Sequence, residues 1–236
     1  MSADRLRLFQ LVSPALPVGG FSYSEGLEVL AQSGRLADAA AVQAWLLAEL
    51  DRGLLPIEAA ALPALMASLQ GWREGLPTAA AAVRDLDGWL VAQREAPELR
   101  AQQRQMGRSL LQLLADLGWP LPLPPTSEAV AAGGDRPGLG WPAAWAWAGL
   151  CLDLSPLVVL EAYLYAWSAN QISAAVRLVP LGPTEAQRLQ LTLAPRLAQR
   201  ATELLTADPR RLRSGGVGAG LAQLGHADLY SRLFRS

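Results

Sequence analysis

The stretch SPLVVLEAYLYAWSANQISAAVRLVP (Ser155–Pro180) decides the fold. Ser155 followed by Pro156 is a helix start, an N-cap residue before a proline whose missing N–H costs nothing in the first turn. Pro180 stops the helix after Val179. Between Glu161 and Arg177 lie 15 residues without a charge. A membrane span needs ~20 mostly apolar residues, and this run carries Ser168, Asn170, Gln171 and Ser173. It therefore reads as the central helix of a helical domain, buried on nearly all sides. Asn170 and Gln171 then need hydrogen-bond partners inside the fold or at an interface.

Outward from this helix the chain reads as further helices separated by Pro and Gly. No convincing strand pattern appears. Helices are expected over 4–12, Tyr23–Gln32, Asp38-capped 39–52, Pro56–Gln70, Thr78–Arg94 and 97–117. The last places Leu99, Met106, Leu110, Leu113, Leu114 and Leu117 on one stripe, ended by Gly118. Residues 118–142 hold six prolines and read as a mobile connector. WPAAWAWAGLCLDL is a short apolar helix. After the turn at Pro180 and Gly182, TEAQ (184–187) is a capping-box pattern. It opens a helix with Leu189, Leu193, Leu197, Ala201 and Leu204 on one face, which Pro195 should kink or divide. The expectation is an all-α protein of about eight to ten helices. One helical domain covers 1–207, and 208–236 is a basic, Gly-linked tail.

Composition narrows the function. Hydrophobic residues make up 51% and charged residues 17% of the chain, enough to bury a sizeable core. A net charge of −1 argues against a general nucleic-acid or anionic-membrane binder. All 20 positive residues are Arg, so Schiff-base chemistry, a Walker-A lysine and a lysine base are excluded. One Cys (Cys151) and one His (His226) exclude an intrachain disulfide and a multi-ligand Cys/His zinc site. No signal peptide is evident, so the expected location is the cytoplasm.

Catalytic motifs are missing. A Ser–His–acid triad would need His226, close to the C-terminus behind a Gly-rich segment, and no G-x-S-x-G elbow exists. PVGGFSYS resembles a phosphate loop only in its glycines. His226 with Asp228 is a weak metal candidate. No cofactor is implied. The chain reads as a platform for other proteins.

Two segments carry that reading. In SPALPVGGFSYSEGLE (13–28), Pro14 and Pro17 stiffen the approach and Gly19-Gly20 allows a sharp turn. Ser22 is the expected N-cap and Glu25 the third residue of a capping box, with Phe21 as a hydrophobic staple. In the tail, Tyr230, Leu233 and Phe234 alternate with Arg232 and Arg235, a composition suited to a segment that orders on a partner.

Three blocks, SPALPVGGFSYSEGLE (13–28), NQISAAVRLVPLGPTEAQRL (170–189) and HADLYSRLFRS (226–236), resemble the urease accessory protein UreF family, in the family's order. The match departs at Glu25, often Gln in the family, and at Ala169, often Glu before Asn170-Gln171. Arg177 stands where Lys is usual, and LAQLG precedes His226 in place of a Met/Arg-containing segment. The resemblance implies an all-helical, dimer-forming, non-catalytic protein. Such a protein joins UreD (UreH in some systems), recruits the GTPase UreG and docks on apo-urease to support GTP-dependent nickel insertion. It also marks Tyr23, Glu25, Asn170, Gln171, Arg177 and His226, beside the tail residues, as partner-binding. Three alternatives remain at this level: activation or gating of the GTPase through an arginine such as Arg177, direct nickel carriage by His226 and Asp228, and, most remotely, an unrelated hydrolase.

Overall fold

The computed structural model describes residues 2–122 and 138–235. The core of the expected 118–142 connector, 123–137, lies outside the described residues. Ten α-helices are present among those described: α1 (Ser2–Leu11), α2 (Leu27–Gln32), α3 (Ala39–Arg52), α4 (Leu55–Arg73), α5 (Ala79–Ala92), α6 (Pro97–Asp116), α7 (Trp141–Cys151), α8 (Pro156–Leu178), α9 (Pro183–Leu204) and α10 (Val217–Leu224). Short 3-10 turns form at Gly20–Ser22, Pro209–Arg211 and Gly225–Asp228. No strand occurs among the described residues, and the all-α class is as the sequence indicates.

Two helices organise the core. α4 packs against α3, α5, α7, α8 and α9, and α8 packs against α1, α2, α3, α4, α7 and α9. The helix enclosed on all sides, however, is α7. Every residue from Pro142 to Gly149 is buried, because WPAAWAWAG offers only Ala, Gly, Pro and Trp to its neighbours. α8 instead keeps an outer stripe. Tyr165 is 42% and Val176 36% exposed, and Ser173 lies between them. The lack of charge on α8 conceals this outer face from a sequence reading.

Close helix contact is set by small residues. A Cβ on Gly107 of α6 would lie 2.3 Å from the Leu139 carbonyl oxygen, so only glycine admits the chain entering α7 at this distance. Asp87 of α5 holds the same spot, accepting the Gly140 N–H at 2.8 Å. Trp145 Nε1 donates to the Val159 carbonyl and fixes α7 on α8. Leu99, Met106, Leu110 and Leu114 form the buried stripe of α6, while Leu113 is half-buried and Leu117 is exposed. Gln102 and Gln103 share the buried side.

Helix starts agree in part. Asp38 caps α3, its Oδ1 accepting the Ala41 N–H at 2.8 Å. Ser155 occupies the N-cap of α8, yet its hydroxyl does not bond the first turn. α9 starts one residue before Thr184, with Gly182 as N-cap and Pro183 at N1. Glu185, not Gln187, reaches back to the Gly182 N–H at 3.4 Å. α9 runs unbroken through Pro195.

The capping box at Ser22 and Glu25 does not form. Ser22 ends a 3-10 turn, and α2 begins only at Leu27. Glu25 (φ 50°) and Gly26 (φ 90°) both lie in the left-handed region, which a right-handed helix cannot contain. Ser24 is the local substitute, its hydroxyl accepting the Glu28 N–H at 3.4 Å. Phe21 is 67% exposed and staples nothing.

No single helix among the described residues is long and apolar enough to cross a membrane. The bent pair α3–α4 has the length and composition, but its apolar residues Leu46, Leu50, Leu62 and Leu65 are all buried within the bundle.

Candidate functional site

α2 supplies the anchor of the site. Glu28, on its first turn, is 1% exposed although charged. Its carboxylate accepts the Leu233 N–H at 2.6 Å and the Phe234 N–H at 3.1 Å. His226 Nε2 lies 3.1 Å from the same group. A carboxylate buried this deeply needs such partners, because desolvation without them costs several kcal/mol. Two further bonds extend the clasp: Arg235 N–H to the Ser22 carbonyl at 2.8 Å, and Gln32 Nε2 to the Ser231 carbonyl at 3.1 Å. The tail is thus folded back along residues 22–32.

α8 supplies the third side. The Arg177 guanidinium sits 4.6 Å from the centre of the Phe234 ring, a cation–π contact that covers the buried phenyl group. Asn170, about two turns earlier, stands next to Gly20. Residues from 13–28, 170–189 and 226–236 therefore meet at one corner of the fold, although Glu28 and Phe234 are 206 positions apart. The outer surface of that corner is apolar and basic. Phe21, Leu233 and Tyr230 are exposed, Tyr230 fully, and so are Arg177, Arg232 and Arg235.

Behind this corner lies a buried polar network. Glu58 of α4 accepts both Arg94 Nε (2.9 Å) and Arg94 Nη2 (2.6 Å) on one oxygen, and the Tyr163 hydroxyl (2.8 Å) on the other. Gln103 adds a 3.3 Å bond. Burial pushes the Glu58 carboxyl upward against the pull of Arg94. Burial also opposes the charge on Arg94, but Glu58 and then Glu25 outweigh it and hold the guanidinium protonated. Glu25 Oε2 is 3.8 Å from Arg94, and its carboxylate accepts from Gln102 (3.1 Å) and Trp167 (3.4 Å). These groups form the polar end of a cavity of about 200 Å³ whose other walls are apolar and aromatic, including Val18, Met106 and Trp141.

The sequence-derived residues divide accordingly. Tyr23 is buried, 7% exposed, so its ring serves the core. Glu25 and Asn170 line the cavity. Gln171 is fully buried, and neither polar atom of its amide has a partner among the described residues. His226 is 2% exposed and engaged by Glu28, while Asp228 is exposed. No group of three or more His, Cys, Asp or Glu among the described residues is placed to hold a metal ion, so His226 acts here as a clasp for the tail. Pro180 and Gly182 form the turn before α9.

Sequence reasoning missed Glu28, Glu58 and Arg94. Glu58 had a visible signal, a single acid within the apolar run LPIEAAALPALM. Arg94 had none, since it sits in the short link after an ordinary amphipathic helix.

The sequence profile of the UreF family matches residues 36–194. Among curated proteins, the chain is 40% identical over 230 residues to the urease accessory protein UreF of Alkalilimnicola ehrlichii, covering 98% of this chain and 95% of that one. The protein of the same name from Synechocystis sp. is 40% identical with 98% of both chains covered. That of Prochlorococcus marinus strain MIT 9301 is 34% identical over the full length of both.

Proposed function

Because the chain belongs to the UreF family of urease accessory proteins, we propose that it acts without catalysis, as an adaptor in urease maturation. In this reading it joins UreD (UreH) and the GTPase UreG on apo-urease and supports GTP-dependent nickel insertion, as a homodimer in the cytoplasm. The observation that carries the reading is the corner where three distant segments converge on Glu28, His226 and Phe234. Its exposed apolar groups, Phe21, Tyr230 and Leu233, stand among three arginines. Aromatic residues and arginine are the groups most enriched at binding hot spots. A basic rim selects an acidic face on the partner and speeds encounter.

An adaptor of this kind works through differential affinity. If it binds one nucleotide state of the GTPase more tightly, that difference biases the cycle and gives metal transfer a direction. No group on this chain then needs to react.

The test is co-purification with UreD, UreG and urease subunits from cells expressing all of them. Tyr230→Ala combined with Leu233→Asp should remove UreD from the complex and leave the helical circular dichroism unchanged, because both side chains are exposed. Assembly of the doubly substituted chain at normal yield would sink the assignment of this corner.

A further inference from the structure

The tail grips the segment before α2 at both ends. Arg235 N–H bonds the Ser22 carbonyl at 2.8 Å, and the Leu233 and Phe234 N–H groups bond the Glu28 carboxylate. Between these two anchors the chain makes a turn that no right-handed helix can contain. Glu25 (φ 50°) and Gly26 (φ 90°) are both left-handed. Gly26 is seated on α10, where a Cβ would lie 3.3 Å from the Ala219 carbonyl oxygen and the Gln223 nitrogen. The turn carries the Glu25 side chain inward, to Gln102 at 3.1 Å, Trp167 Nε1 at 3.4 Å and Arg94 at 3.8 Å.

A left-handed backbone is uphill for a residue with a side chain. It persists only where the surroundings over-determine it. Here the surroundings are the inward contacts of Glu25, the seat of Gly26 on α10, and the two tail anchors.

The same residues encode a second conformation. Ser22-Tyr23-Ser24-Glu25 is a complete S-x-x-E capping box. In the turn it stands unused, since α2 has Gly26 at its N-cap and no side-chain cap. With Ser22 as N-cap, α2 would start at Tyr23. The Ser22 hydroxyl would accept the Glu25 N–H, and the Glu25 carboxylate would turn back to the Ser22 N–H. Glu25 would then leave Gln102, Trp167 and Arg94. The two arrangements exclude each other, because they require opposite signs of φ at Glu25.

We propose that residues 22–28 form a two-position switch set by the tail. The docked tail holds the turn, and with it Glu25 on the buried network. Release of the tail lets α2 extend back to Tyr23 and withdraws Glu25. The tail corner is thereby coupled to the contact between α3 and α8, because Trp167 stacks on Trp45 at 6.1 Å between ring centres. By linkage, whatever takes the tail loosens Glu25, and whatever holds Glu25 tightens the tail. The switch is a property of the isolated chain and does not depend on the urease-maturation reading.

Nuclear magnetic resonance and hydrogen–deuterium exchange on the full chain test this. Phe234→Ser removes the buried phenyl group that anchors the tail. The Trp167 indole N–H signal, assigned by its loss in Trp167→Phe, should then shift. The carbon-13 Cα signals of 23–26 should move to helical values. The Trp145 indole N–H, bonded to the Val159 carbonyl, should stay in place. Ser22→Ala supplies a sign that a merely structural serine would not give. It keeps the carbonyl that Arg235 uses but removes the cap of the released state, so amide exchange at 226–235 should slow by about fivefold. If the Trp145 signal also moves in Phe234→Ser, that variant has disturbed the core, and the sign in Ser22→Ala decides. Unmoved Trp167 and 23–26 signals in Phe234→Ser, or tail exchange in Ser22→Ala that is unchanged or faster, would each overturn the proposal.

Discussion

Replacing Glu28 by alanine removes three contacts at once, the Leu233 and Phe234 N–H groups and the His226 ring. Hydrogen bonds to a charged group contribute about 1.5–3 kcal/mol each, net of water. Their simple sum overstates the effect, because the freed tail rehydrates its own donors. A loss of about 3–5 kcal/mol in tail docking is the fair expectation, the usual cost of breaking one side of a buried charged contact. At 1.4 kcal/mol per factor of ten, amide exchange across 226–235 should accelerate by about 10²- to 4 × 10³-fold. Hydrogen–deuterium exchange with mass spectrometry reads this directly, using peptides from α4 and α7 as internal controls. Glu28→Gln keeps one acceptor oxygen but turns an NH₂ toward donors, so it should accelerate exchange by an intermediate amount. If the tail peptide exchanges within threefold of the native rate in Glu28→Ala, Glu28 is not what holds the tail. The reasoning from burial and bond count would then be wrong.

Two other perturbations have definite signs. The folded-state pKa of Glu49 is raised to about 7 from 4.5, so between those values the folded chain binds more protons than the unfolded one. Stability therefore falls as pH rises through that window, by roughly 3 kcal/mol for this group. Asp87, raised from 3.8 to about 6 chiefly by burial, adds a fall of the same sign at slightly lower pH. Urea denaturation at pH 5 and pH 8 should show the decline, and Glu49→Gln should flatten it; an equal slope in that variant would refute the assignment. Gly107→Ala should destabilise by at least about 1–3 kcal/mol, since its new methyl meets backbone at Leu139 rather than a side chain that can move. Gly88→Ala, inside α5 with nothing within 4 Å, should stabilise by about 0.5–1 kcal/mol. Thermal denaturation of the two variants side by side checks the contrast.

The helical class was legible because Leu/Ala periodicity and Pro/Gly punctuation act locally. Asp38 and the buried stripe of α6 follow from spacing alone. The errors have a common cause. Ser22-x-x-Glu25 is a valid capping pattern, but the tertiary fold needs Glu25 turned toward Gln102 and Trp167, and a left-handed backbone delivers it there. α8 looked enclosed because its outer stripe of Tyr165, Ala169, Ser173 and Val176 is merely uncharged. At the candidate site, the three marked segments could be read from the sequence, but their meeting could not. Glu28 joins the first to the tail by a contact 205 positions away, and Phe234 under Arg177 adds the third. Sequence also suggested that His226 was available as a ligand, whereas a partner carboxylate already occupies it.

The clasp at Glu28 has a consequence for synthesis. The residues that shield the α2 carboxylate are made 205 positions after it. At about 5–20 residues per second, that separation is a wait of roughly 10–40 s. Throughout it, the nascent helix bundle carries an open seam where the strap from 226 to 235 will lie. This corner therefore closes only after residues 226–235 have been made.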